Sequence, residues 1–196
     1  FCKLNTDGCC VGIYFAPRAS YYTRISQCVF GDNPSYGIFA DGNHTKNGCI
    51  HNLEISNNNF VRNCGANVNF TEEPSAIYLK NISKSTIKDN LIDCPGTYWH
   101  YDSDDKDNDA RQIHTNKAIG LVVIGDENRI LDNVFTNSSD KAIIVKGNNN
   151  VISGNITDGD VVIDGENNIV QNLIFTNQTA KLILVGKTTS TTKIFG

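Results

Sequence analysis

The sequence predicts an all-β solenoid of short parallel strands, on three observations. First, one short pattern recurs at roughly 20-residue spacing, the mark of a solenoid. It reads small residue, apolar run, Gly/Asn-rich turn, apolar residue, two variable residues, Asn, apolar residue. It is tightest between Lys117 and Asp158, where AIGLVVIGDENRILDNVFTN is followed three residues later by KAIIVKGNNNVISGNITD. Second, the apolar runs are strand-length and no helical periodicity competes with them. Third, an Asn returns at one fixed place, at Asn58, Asn90, Asn133, Asn155 and Asn172.

Each repeat divides into three strands and three turns, giving about seven coils. Strand one is a run such as Ala142-Ile143-Ile144-Val145, followed by a turn over Lys146 to Asn150. Strand two is Val151-Ile152-Ser153, and strand three begins just after the tight turn at Asn155. A variable third turn leads back to strand one. Period-2 alternation puts Ile13 and Phe15, Ile38 and Ala40, Ile77 and Leu79, Ile119 and Leu121, and Ile143 and Val145 inside. Tyr14, Phe39, Tyr78, Gly120 and Ile144 then face out, an aromatic stripe rimmed by Asp41 and Lys80. The recurring Asn is expected in left-handed backbone, its amide bonding the amide one coil above. Cys28 holds that place in the first coil, so the ladder should end there.

Composition bounds the function. At 39% hydrophobic and 19% charged, the 196 residues are globular rather than disordered. A net charge of −4 with scattered basic residues leaves no footprint for nucleic acid or an anionic membrane. No apolar run is long enough to span a membrane and no signal peptide is visible. The chain opens in mid-pattern at Phe1 and lacks methionine, so a single β-helix domain over residues 1–196, cut from a longer chain, is expected. All seven cysteines lie at or before Cys94, whereas the repeat is tightest after it. Buried thiols are therefore expected, although the positions of Cys64 and Cys94 permit a bridge. Sequons at Asn43, Asn69, Asn81, Asn137, Asn155 and Asn177 are discounted as products of Asn-rich turns.

This layout resembles right-handed parallel β-helix proteins of the pectate-lyase-like superfamily, over residues 11–195. Three strands per coil and an Asn-bearing second turn carry the resemblance, which implies that fold. That scaffold hosts lyases, hydrolases, epimerases and adhesins, so function must come from the site. Asn5-Thr6-Asp7-Gly8 is similar to the NTDG segment of polygalacturonases. The aspartate pair of that family reads Gly31-Asp32-Asn33 here, and no GHG or RIK motif follows, so the match is set aside.

Function is expected where the repeat is interrupted, because binding residues ride on loops held by a rigid scaffold. Asn133 and Asn155 are 22 residues apart, whereas Asn90 and Asn133 are 43 apart. The excess is an insertion in the third turn, residues 94–116, CPGTYWHYDSDDKDNDARQIHTN. A smaller one, residues 64–75, occupies the same turn a coil earlier. The resemblance implies that such loops wall a cleft over the strand-one face. The larger insertion carries Trp99, His100, Tyr101 and Arg111 around five aspartates. Aromatic rings stack on sugar faces, while paired carboxylates serve as acid and base for glycoside hydrolysis. The candidate catalytic groups are Glu72 and Glu73 with Asp102, Asp104 and Asp105. Candidate substrate-binding residues are Trp99, His100, Tyr101, Arg111, Tyr14, Phe39 and Tyr78. A lyase would use His100, Tyr101 or Lys117 as base, with Arg111 on the uronate. An EF-hand is set aside because Ala110 replaces the needed Gly and Asn116 the bidentate Glu. No metal site or cofactor is expected.

The irregular β-helix, Asn-rich coils and aromatic wall resemble bacteriophage tailspikes and related depolymerases. The resemblance implies a homotrimer, in a virion tail or outside the cell, that binds and cleaves bacterial surface polysaccharide. A secreted polysaccharide lyase or glycosidase and a non-catalytic β-helix shaft or adhesin are the alternatives.

Overall fold

The computed structural model describes residues 5–7, 11–15, 22–33, 35–42, 50–63, 73–93, 95–101, 111–115, 118–138, 140–186 and 191–196. For 5–7, 97–101 and 111–115 it describes the backbone alone. The chain is a parallel β-helix, with the coil strands visiting three sheets in rotation; strand Ile50–His51 and a hairpin of Thr97–Tyr101 with Arg111–Thr115 stand outside that order. The first sheet holds β2 (Val11–Phe15), β5 (Tyr36–Asp41), β9 (Ser75–Ser83), β14 (Ile119–Asp126), β17 (Lys141–Lys146), β20 (Asp160–Asp164) and β23 (Leu182–Val185). The second holds β3 (Arg24–Ser26), β7 (Glu54–Ser56), β10 (Thr86–Lys88), β15 (Arg129–Leu131), β18 (Val151–Ser153), β21 (Ile169–Gln171) and β24 (Lys193–Phe195). The third holds β1 (Asn5–Asp7), β4 (Val29–Gly31), β8 (Asn59–Val61), β11 (Leu91–Asp93), β16 (Val134–Thr136), β19 (Ile156–Thr157) and β22 (Ile174–Phe175). Parallel strands joined across corners in this way wind right-handedly, the sense the sequence resemblance implies.

Register explains why like residues recur. Ile38, Ile77, Leu121, Ile143 and Val161 lie over one another and are fully buried. Ile25, Ile55, Ile87, Ile130, Ile152 and Val170 form a second stack. Phe30 and Phe60 stack with centroids 4.6 Å apart in a third. Each such side chain contributes about 1.5–3 kcal/mol of burial, so the interior is one continuous apolar column.

The small residue that opens each repeat has a steric cause. A Cβ on Gly37 would lie 2.8 Å from the Phe60 ring, and one on Gly120 would lie 2.6 Å from the Phe135 ring. This corrects two expectations. Gly120 borders the interior instead of facing out, and Val122 takes the outer place beside Tyr78. Ile119 pairs with Ser75 and joins the outer cluster of Tyr36, Tyr78, Val122 and Ile144. At the third corner two successive residues line the core, as Ala76-Ile77 and Ala142-Ile143 do, so alternation starts one residue later than the pattern suggests.

The Asn ladder is present at the second corner and runs from Asn58 to Asn155. The backbone amides of Cys28, Asn58, Asn90 and Asn133 each donate to the side-chain oxygen of the next Asn, at 2.9–3.1 Å. The Asn58, Asn90, Asn133 and Asn155 amide nitrogens donate to the carbonyls of Ile25, Ile55, Ile87 and Ile130. Asn172 is not a rung. Ile156 pairs with Ile174, which puts Leu173 in the slot, half-buried against the core. The left-handed residue is also not the ladder Asn but the one before it: Asn57, Asp89, Asp132, Gly154 and Asn172 have φ between 51° and 67°. That residue reverses the chain, and the next side chain turns inward.

Candidate functional site

The outer wall of the first sheet is built by register. Tyr14, Phe39 and Tyr78 occupy one row, continued by Val122, Ile144 and Val162. Their rings are near-parallel, with centroids 5.6 Å apart for Tyr14–Phe39 and 5.3 Å for Phe39–Tyr78. Tyr36 packs tilted against Phe39 and Tyr78. The row is not evenly open. Tyr14 is 59% exposed and Phe39 is half-buried, whereas Tyr78, Val122 and Ile144 are at most 3% exposed. The apolar wall is thus covered within the chain at its middle coils and accessible at its first.

The next row is charged. Asp41 lies beside Lys80, with Lys80 Nζ 3.4 Å from Asp41 Oδ2 and Asn81 Nδ2 donating to Asp41 Oδ1 at 3.1 Å. Higher up, Lys146 on β17 donates to Glu73 Oε1 at 2.9 Å. Glu73 leaves the third corner just before β9, so its side chain reaches a strand two coils away. That ion pair is well solvated and contributes little stability, but it fixes where the Glu73 end of the smaller insertion lies. Glu73 Oε2 is buried and has no hydrogen-bond partner. The sequence reading missed Lys146. Charges closing strand one at Asp41, Lys80 and Lys146 were the available signal.

The larger insertion leaves the same corner, between β11 and β14, and contains an antiparallel hairpin of β12 (Thr97–Tyr101) and β13 (Arg111–Thr115). Its register sets Trp99 opposite Ile113, His100 opposite Gln112 and Tyr101 opposite Arg111. Three candidate binding positions thereby fall within three consecutive rungs, with Arg111 across from the last. Glu72, Asp102, Asp104, Asp105 and Lys117 lie outside the described residues, as do Cys64 and Cys94. Of the five candidate carboxylates, Glu73 alone is among the described residues. Cys28 is a buried free thiol.

The first corner carries a second ladder that the sequence reading did not single out. Leu53 N–H donates to Ser85 Oγ, Ser85 N–H to Asn128 Oδ1, Asn128 N–H to Asn150 Oδ1 and Asn150 N–H to Asn168 Oδ1. The recurring GDEN, GNNN and GENN were its signal. Among the described residues no group of three His, Cys, Asp or Glu side chains is placed to hold a metal ion. No family model, curated protein or solved structure matches this chain.

Proposed function

We propose that this chain is a tailspike-type depolymerase, which binds bacterial surface polysaccharide along the outer wall of its first sheet and cleaves it beside the two insertions. It would act as a homotrimer in a virion tail or otherwise outside the cell. The observation that carries this reading is Glu73: Lys146 holds one carboxylate oxygen at the wall, and the other oxygen is buried without a partner. The Glu73 side chain as a whole is partly exposed, so its carboxylate can turn to meet a sugar hydroxyl at the wall. The hairpin with Trp99, His100, Tyr101 and Arg111 rises from the same corner, and exposed Tyr14 extends the wall as a stacking surface. Glu72, Asp102, Asp104 or Asp105 would supply the second carboxylate of the pair.

The test is release of reducing ends, or of ultraviolet-absorbing unsaturated ends, from a panel of purified bacterial surface polysaccharides. Glu73→Gln and Asp104→Asn are each expected to lower turnover by about 10²-fold or more, with binding retained. Binding without turnover in the unmodified chain would favour the adhesin reading. No binding to any member would end the polysaccharide reading. Sedimentation of the intact chain reports whether it trimerises.

A further inference from the structure

We infer from the geometry that His51 and Ser83 form a base–nucleophile pair able to hydrolyse short-chain carboxylic esters. This stands apart from the polysaccharide reading, on a different corner of the coil. β6 (Ile50–His51) pairs with the end of β9, setting His51 opposite Ser83. His51 Nδ1 lies 2.5 Å from Ser83 Oγ, and both residues are partly exposed. The residues just before them, Ile50 and Ile82, are register partners and fully buried, so each member of the pair rides on an anchored strand.

This contact differs from its neighbours along the same corner. At the coils above, the side chain accepts from a backbone amide: Asn148 N–H donates to Asp126 Oδ1, and Glu166 N–H to Asn148 Oδ1, both at 2.7 Å. Those bonds close the corner. At His51–Ser83 two side chains meet, an imidazole nitrogen against a hydroxyl, the base and nucleophile of a catalytic serine pair.

An open groove adjoins the residues that follow the pair, and an acyl group bound to Ser83 could extend into it. The residues following His51 and Ser83 are Asn52 and Lys84, both in left-handed backbone at φ 55° and 51°. Together with Leu53, Glu54, Thr86 and Lys88 they line a cleft of about 280 Å³. That is at the low end for ligand sites, so it fits a short acyl chain better than a long one. The backbone amides of Asn52 and Lys84 already donate to the Ser83 and Asp126 carbonyls. The developing oxyanion must therefore be met by side chains, the Asn52 amide and the Lys84 ammonium. Lys84 is free to turn toward it, because its pair with Glu127 is 3.7 Å long and largely exposed on both sides.

The steps balance as an ester hydrolysis. Ser83 Oγ attacks the acyl carbon while its proton passes to His51 Nδ1. The tetrahedral adduct expels the alcohol, which takes that proton from His51. Water then attacks the acyl-serine as His51 takes its proton, and the second adduct collapses, releasing the carboxylic acid while His51 returns that proton to Ser83 Oγ.

The experiment treats the full chain with a fluorophosphonate probe and maps the modified peptide, alongside p-nitrophenyl acetate hydrolysis. Ser83 is expected to carry the label, and Ser83→Ala to lose both the label and hydrolysis above background. His51→Gln is expected to slow labelling and hydrolysis by about 10²–10⁴-fold. Circular dichroism checks that both variants keep the β-helix. An unlabelled Ser83 in the unmodified chain, or unchanged hydrolysis in a folded Ser83→Ala, overturns the assignment, and the first outcome needs no variant at all.

Discussion

The two inner corners of the coil solve the same problem over different stretches of the chain. At the second corner asparagine fills the rung from the second coil to the fifth, between Cys28 below and Leu173 above. At the first corner asparagine appears only from the fourth coil, at Asn128, Asn150 and Asn168, with Ser85 and Leu53 beneath. Both corners are preceded by a left-handed residue, for example Asp132 before Asn133 and Asn149 before Asn150. The backbone bend is therefore common, and the difference lies in how completely a side chain saturates it. Where the first corner lacks asparagine, the chain carries the His51–Ser83 contact, the cleft between Asn52 and Lys88, and the extra segment 43–49. A corner relieved of ladder duty has room for chemistry that a saturated one does not.

The sharpest break is expected at the end of the first-sheet strands, just before the first corner. Gly147 has φ 141°, and a Cβ there would lie 2.1 Å from the Gly125 carbonyl oxygen. The obstacle is backbone held in the coil below, so no rotamer change relieves it. Gly147→Ala should cost more than about 3 kcal/mol and read as a large drop in the urea midpoint or as loss of soluble protein. Wild-type stability in this variant would mean the stacked coils are much looser than described.

Next in size come the rungs themselves. Asn133 makes four side-chain bonds: to Ile87 O and Asn155 Oδ1, and from the Asn90 backbone and side-chain amides. Asn150 makes three, to Gly125 O and Asn168 Oδ1 and from Asn128 N–H. Alanine at either strands buried donors and acceptors, at about 1–3 kcal/mol per orphaned group. Asn133→Ala should be the worse of the two by about 1 kcal/mol in urea unfolding. The reverse order would show that the first corner, not the second, bears more of the fold.

The strands, the second-corner ladder and the two third-corner insertions were legible in the sequence because stacking forces like residues into like places. Ile38, Ile77, Leu121 and Ile143 repeat since each lies on the last. Features that depend on how the chain turns were not. Gly120 and Leu121 both line the core, which no period-2 pattern announces. Asn172 fits the sequence pattern of a rung without being one, because the left-handed residue and the rung are adjacent and both favour Asn. The reach of Glu73 to Lys146 spans two coils, which periodicity does not encode. The His51–Ser83 contact was hidden for a related reason. Residues 42–49 separate β5 from β6, so the spacing that aligns His51 with Ser83 is out of step with the repeat.

The smallest effect sharpens the comparison most. Ser85 Oγ accepts from Leu53 N–H at 3.1 Å and donates to Ser83 O at 2.9 Å, while Ser85 N–H donates to Asn128 Oδ1. An asparagine there keeps the first bond through its own oxygen. Its amide nitrogen would reach Asn128 Oδ1 and the Ile50 carbonyl, since Ile50 stands below Ile82 as Ile82 stands below Gly125. Ser85→Asn should therefore extend the ladder downward and stabilise by about 0.5–1.5 kcal/mol, visible as a higher urea midpoint with unchanged slope. The hydroxyl bond to Ser83 O is given up, which holds the gain to the lower part of that range. A loss of stability would mean the third coil is too narrow at this corner for a rung, and that serine is there to pack. In that case the two corners differ in width rather than in saturation, and the room beside His51 and Ser83 has another origin.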